Sequence, residues 1–283
     1  MTLFFCAHEL SLHKKQNMNT WIWGPPKWRF LHTLSFAPDV ATPANAARVA
    51  PFLETLQHVL PCVYCRDSYV GFFAELEQQH GDTTSVVARG DLNKWMFDLH
   101  EKVNIKLDMQ TTINALKDAG VDTEKMPPPQ PICRKRQLTF ECLQKRFAVR
   151  KVQYSSTDVW DLLLIFMLNL DDVRAEGEQL PEARAAGYAT FMRLLPAMVN
   201  FSCGAQSSPA ANQFCAAIAE LASSYDAALA QQARAPQDSV LFKWVLHARA
   251  RYDDMRYTNE YEADMLYRYG LARAGACMHG SCQ

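Results

Sequence analysis

The sequence predicts an all-α protein. Three observations carry that expectation: apolar residues recur at spacings of three and four along most of the 283 residues, no segment sustains a strand-like alternation, and the breaks between periodic stretches fall at prolines and glycines. The expected architecture is a four-helix bundle with a short fifth helix over residues 21–125, preceded by an extension over 1–20. A proline-rich linker at 126–132 then leads to a second, mainly helical domain over 133–283.

In chain order, the stretch KWRFLHTLSFA after Pro25-Pro26 places Trp28, Leu31, His32 and Ser35 along one face of a first helix. A second begins at Pro43, carries Ala47, Val49, Phe52, Leu53, Leu56, Val59 and Leu60 in helical period, and stops at Pro61. The third opens at Cys62 and Cys65, runs through Tyr69, Phe72, Phe73 and Leu76, and ends at His80-Gly81-Asp82. A fourth begins near Asp91, with Trp95, Leu99, Val103 and Leu107 at spacings of four, and the short fifth covers Ile113 to Ala119. Pro127, Pro128, Pro129 and Pro131 cannot continue a helix. Beyond them, FECLQKRFAVRKV, the apolar run Val159 to Leu168, the Ala-rich segments Glu182 to Val199 and Ala210 to Ala233, and the Arg- and Tyr-dense stretch from Ser239 to Tyr269 all read as helical.

Composition narrows the function classes. Hydrophobic residues make up 49% and charged residues 21%, enough apolar material for a packed core. The 29 basic and 30 acidic residues nearly cancel, so no global field favours nucleic acid or an anionic membrane, and neither is an expected partner. Val159 to Leu168 is far short of the ~20 residues a membrane span requires, and reads as a buried helix. Residues 1–20 lack the apolar core of a signal peptide, so a cytoplasmic location is expected.

Nine cysteines, at 6, 62, 65, 133, 142, 203, 215, 277 and 282, are the compositional feature that points to chemistry. Reducing compartments disfavour structural disulfides, which leaves buried thiols, metal ligands or redox catalysts. Pro61-Cys62-Val63-Tyr64-Cys65 ends one helix and opens the next, where free backbone N–H groups and the positive end of the helix dipole favour a thiolate. Low thiol pKa is what dithiol–disulfide exchange demands. A zinc site would need a second pair at matching spacing, and the other cysteines supply none, so no metal is expected. A thioredoxin-type domain is disfavoured because helix, not strand, precedes the pair.

Three motifs stand in order: Trp28-Arg-Phe-Leu-His32, then Pro61-Cys62-Val-Tyr-Cys65, then His100-Glu-Lys-Val103-Asn104-Ile-Lys106 in the helix that carries Trp95. Their order and spacing over roughly residues 21–120 resemble the Erv/ALR family of FAD-dependent sulfhydryl oxidases. The resemblance implies an FAD-gripping bundle with Cys62 and Cys65 as the redox pair against the flavin. It implies cofactor contacts from Gly24, Lys27, Trp28 and His32 on the first helix and from Trp95, His100, Val103, Asn104 and Lys106 on the fourth. It further implies a homodimer, thiol-containing protein substrates, and molecular oxygen reduced to hydrogen peroxide. Two positions depart from the family pattern. Glu101 stands where the family usually has Asn, and Phe97 and Asn114 occupy the positions of a frequent structural disulfide.

Family members use a shuttle disulfide to collect electrons from bulky substrates. Cys277 and Cys282, near the C-terminal end of the sequence, are the candidates for that role, with Cys133 and Cys142 the alternative; Cys6, Cys203 and Cys215 are expected to be incidental. An oxidase bundle joined to an unfamiliar helical domain resembles the versions encoded by large DNA viruses, which implies action in a viral factory or virion. The competing expectation is a non-enzymatic virion or scaffold protein that keeps the bundle and uses its cysteines structurally.

Overall fold

The computed structural model describes residues 20–123, 139–149, 155–175, 180–203 and 208–270. The described residues are helical, with no strand among them, as the periodicity predicts. The first helices are α1 (Thr20–Ser35), α2 (Pro43–Val59), α3 (Val63–His80), α4 (Thr83–Ala88) and α5 (Leu92–Asp118). There follow α6 (Phe140–Val149), α7 (Ser156–Ala175), α8 (Glu182–Cys203), α9 (Pro209–Ser223), α10 (Tyr225–Arg234), α11 (Val240–Tyr252) and α12 (Asn259–Gly270).

Five boundaries differ from the sequence reading, among them a break in the Ser239–Tyr269 stretch between Tyr252 and Asn259, which divides it into α11 and α12. α1 starts before Pro25 and Pro26 and contains both. Only the carbonyls of Trp21 and Ile22 lose a helical donor there, at the edge of the first turn, so the helix tolerates the pair. The expected fifth helix is the end of α5. Thr111 and Thr112 direct their hydroxyls back to the carbonyls of Leu107 and Asp108, at 2.9 and 3.0 Å, and do not break the helix. α5 instead ends at Gly120, φ 78°, where the N–H groups of Gly120 and Val121 donate to the Lys117 and Leu116 carbonyls. A short helix the periodicity did not reveal, α4, is capped by Asp82, whose carboxylate accepts from the Ser85 N–H at 2.9 Å. The Ala210–Ala233 segment divides into α9 and α10 at Ser224.

α7 is buried nearly all round, as a helix with apolar residues on every face must be. It packs against α1 on one side and α11 on another, while α8 lies along α2. The buried carboxylates and amide of α7 have partners, whereas the buried Trp160 indole N–H has no hydrogen-bond partner among the described residues. Asp158 holds Arg29 of α1 at 2.5 Å, Asn169 accepts from Arg184 of α8 at 2.8 Å, and Asp171 caps α11 through the N–H groups of Leu241 and Phe242. Phe52 of α2 stacks on Phe191 of α8 at 5.1 Å, which meets Phe166 of α7 at 5.6 Å. A single hydrophobic core therefore runs from the first five helices into those beyond residue 155. α6 docks by aromatic contacts, Phe147 on Phe36 at 4.3 Å and Phe140 beside Phe97 at 5.5 Å. Phe97, at one of the two missing disulfide positions, thus joins α5 to the segment that follows through ring packing. The proline-rich stretch 126–132 lies outside the described residues. Among the described residues no helix is long and apolar enough to cross a membrane.

Candidate redox site

α2 ends at Val59, and Leu60 and Pro61 carry the chain into Cys62, the extended residue that caps α3. The Cys62 carbonyl accepts from the N–H groups of Cys65 at 3.1 Å and Arg66 at 3.0 Å, so the first turn of α3 is built around the two thiols. Cys62 is fully buried and Cys65 half-buried. A hydrogen bond from Cys65 holds the Cys62 thiol below its ordinary pKa, with help from Lys106 and Arg66, whereas the bond to Cys62 and burial push Cys65 up.

Cations surround the pair. Lys106 of α5 donates to the Tyr64 carbonyl, between the two cysteines, at 3.1 Å, and to the Ser68 hydroxyl one turn on. Arg66 is buried and donates to the Leu60 carbonyl at 2.7 Å. Burial and the neighbouring Arg184 of α8 lower its pKa to about 10. Arg184 in turn donates to the His58 carbonyl at 3.0 Å, so a residue from beyond the proline-rich stretch braces the turn that leads to Cys62.

The second cluster belongs to α1 and α5. His100 stacks on Trp28, ring centres 3.9 Å apart and planes 11° from parallel, and its Nδ1 lies 2.9 Å from Nε2 of His32. One of those nitrogens donates and the other accepts. Burial lowers the His32 pKa to about 4, so its ring is neutral near pH 7. Its Nδ1 is buried and has no protein partner. Lys27, only 5% exposed, lies with its ammonium 3.9 Å from the Trp28 ring centre and 5.2 Å from that of Trp23. Its pKa falls to about 8 because burial disfavours the charge, against a pull from Cys65 and Cys62.

Lys27, Trp28, His32 and His100 therefore form one contiguous group, and Lys106 belongs to the thiol turn. Asn104 donates to Glu101 at 2.9 Å, so the carboxylate at the departing position fixes the next amide along the α5 face. Trp95 lies in the core, edge-on to Phe73 at 5.3 Å, and its buried N–H has no protein acceptor. Val103 is half-buried, and a Cβ on Gly24 would meet nothing within 4 Å. Cys6, Cys133, Cys277 and Cys282 lie outside the described residues, and of Cys203 only the backbone is described. Cys142 is exposed on α6 and Cys215 half-buried. Among the described residues no His, Cys, Asp and Glu gather into a metal-binding group.

The sequence reading did not single out Ser68, Trp23, Arg66 or Arg184. Ser68 and Trp23 follow from helical register, three residues past Cys65 and four before Lys27. Nothing local marks Arg184, which reaches the site by tertiary packing alone.

Residues 26–120 match the Erv1/Alr family model. The mitochondrial FAD-linked sulfhydryl oxidase ERV1 of Saccharomyces cerevisiae is 29% identical over 85 residues, which are 30% of this chain and 42% of that protein. The chain thus spans less than half the length of this curated relative. No solved structure matches the chain.

Proposed function

We propose that the protein is an FAD-linked thiol oxidase that forms disulfide bonds in protein substrates. The observation that carries this reading is the cation-flanked Cys62–Cys65 pair in one bundle with the Trp28–His32–His100 cluster, within a segment of Erv1/Alr type.

The residues fit a dinucleotide. Lys27 is a buried cation with no carboxylate partner among the described residues, and His32 Nδ1 and Trp95 Nε1 are buried polar atoms with no protein partner. Such groups are costly unless something else engages them. The stacked Trp28 and His100 offer an aromatic surface, and Asn104 an amide on the same α5 face. When bound, FAD would take two electrons from the dithiol and pass them to oxygen as hydrogen peroxide.

In the oxidised pair, a substrate thiolate attacks the Cys62 sulfur, the Cys62–Cys65 bond breaks, and Cys65 leaves as thiolate. The second substrate thiol then displaces Cys62, which gives an oxidised substrate and a reduced pair. Lys106 and Arg66 stabilise the negative charge that appears at the turn. Cys62 is fully buried, so a bulky substrate thiol needs an intermediary or an opening of the cover. Cys277 and Cys282 are the proposed shuttle. The homodimer expected from the resemblance would meet the bundle away from the faces of α1 and α2 covered by α7 and α8. The viral setting and cytoplasmic location belong to the same proposal.

The test is the colour of the protein. Purified full-length chain should carry FAD, with flavin absorbance and oxygen consumption when dithiothreitol is added. A colourless protein that does not bind added FAD leaves the scaffold reading in its place.

A further inference from the structure

The end of α2 takes hydrogen bonds from two other helices. The N–H of Leu60 closes the last turn on the Leu56 carbonyl at 3.2 Å, and Pro61, next in the chain, has no N–H to offer. A helix end leaves its final carbonyls in need of donors. Here three consecutive carbonyls meet side-chain donors. Arg184 of α8 donates through Nε to His58 at 3.0 Å, the Tyr188 hydroxyl of α8 lies 3.4 Å from the Val59 carbonyl, and Arg66 of α3 donates to Leu60 at 2.7 Å. Arg184, Gly187 and Tyr188 share one face of α8, and Gly187 has no side chain to hold that face off α2. Both α8 donors are fixed from behind by α7. Nη2 of Arg184 donates to Asn169 at 2.8 Å, and the Tyr188 hydroxyl lies 3.4 Å from the Phe166 carbonyl as well. A surface arginine keeps its guanidinium in water, whereas this one is buried and bridges the end of α2 to the middle of α7.

We propose that Arg184 and Tyr188 are positioning residues of the redox pair: they cap the end of α2 and thereby fix where Cys62 stands relative to Cys65. Only Pro61 separates the capped Leu60 from Cys62, the extended residue on which α3 begins. Oxidation of the pair joins the two sulfurs with loss of two electrons and two protons. The bond closes only if the sulfurs meet in a narrow geometry, so a fixed turn raises the effective concentration of one thiol at the other and favours the disulfide. Neither residue touches a sulfur or exchanges electrons. The helices beyond residue 155 are on this account a working part of the redox centre, since they supply two of the three donors that hold its entry turn. The inference rests on the redox role of the pair, but the dithiol–disulfide equilibrium is measurable without turnover.

The experiment equilibrates full-length protein, without oxygen, in graded ratios of reduced to oxidised dithiothreitol. After an acid quench and denaturing alkylation, mass spectrometry reads the state of Cys62 and Cys65. Arg184→Met should shift the equilibrium about tenfold towards the dithiol, equivalent to about 30 mV. Tyr188→Phe, which removes only a hydroxyl, should shift it about threefold in the same direction. Phe191→Leu is the control, because it loosens the stacking of α8 on Phe52 of α2 without removing a donor to a carbonyl. That variant should be less stable than wild type yet keep the wild-type equilibrium. An unmoved equilibrium in folded Arg184→Met overturns the proposal, as does an equal shift in Phe191→Leu, which would assign the effect to packing at large. Should Arg184→Met fail to fold, Tyr188→Phe decides, and its unmoved equilibrium overturns the proposal as well. A protein that binds no FAD would refute the oxidase reading but leave these equilibria as they are.

Discussion

Gly187 of α8 lies so close to His58 of α2 that a Cβ on the glycine would stand 2.3 Å from the histidine Cβ. The two helices cross almost backbone to backbone. On either side of the contact, Arg184 donates to the His58 carbonyl and Tyr188 to the Val59 carbonyl, at 3.0 and 3.4 Å. Those carbonyls end α2, three or four residues before Cys62.

That crossing predicts opposite outcomes for two glycines. Gly187→Ala must force α8 away from α2 and should destabilise the protein by about 2 kcal/mol or more. Gly71→Ala, at an exposed position of α3 with open space around it, should stabilise by about 0.5–1 kcal/mol through helix propensity. Urea unfolding of the two variants checks both signs.

Cys65→Ser should abolish oxygen consumption with dithiothreitol while leaving the fold intact, because the hydroxyl keeps the size of the thiol but cannot form a disulfide. Turnover that survives in Cys65→Ser removes the assignment of the pair.

Burial of Lys27 carries a stability cost with a defined pH window. Its pKa is about 8 folded against 10.5 in the unfolded chain, so the enclosed ammonium destabilises the native state below pH 8. The cost fades as the pH rises from 8 to 10.5, where the unfolded chain alone stays protonated. Lys27→Met should therefore be more stable than wild type near pH 7, on the order of 3 kcal/mol, with the advantage lost by about pH 10.5. Equal urea midpoints at pH 7 would show that the charge is better solvated than its enclosure implies.

His32 has the same sign at lower pH. Its folded pKa is about 4 against 6.5 unfolded, so the unfolded chain takes up the proton first as the medium is acidified. Between pH 7 and pH 5 the protein should lose on the order of 2 kcal/mol from this residue, a loss that His32→Asn does not show. Urea melts at the two pH values measure the difference.

The tail cysteines are tested by substrate size. Cys277→Ala/Cys282→Ala should slow oxidation of a reduced protein substrate more than oxidation of dithiothreitol. Equal slowing of both would end the shuttle assignment.

Much of this was legible in the sequence, for reasons that differ by residue. Periodicity located α2, α3 and α8 because their apolar stripes face one core. Pro61 placed Cys62 at a helix tip because proline cannot extend α2. The start of α1 was misread because a proline pair ordinarily marks a helix start, whereas here α1 begins five residues before Pro25. The end of α5 was misread because Thr111 and Thr112 satisfy their hydroxyls within the helix. The grouping of Trp28, His32 and His100 followed from motif order, whereas Arg184 reaches the thiol turn from more than a hundred residues away and leaves no local trace. A proline-rich segment at 126–132 marks a change of sequence style, yet the cores on its two sides are continuous.

That continuity has a consequence for how the bundle responds to dilution. The faces of α1 and α2 are covered by α7 and α8 of the same chain, so their cover is supplied at a fixed, tether-set effective concentration. A bundle covered by a separate subunit would lose that cover as the solution thins, with a melting temperature that falls accordingly. Here the covered faces stay covered in a single molecule at any dilution.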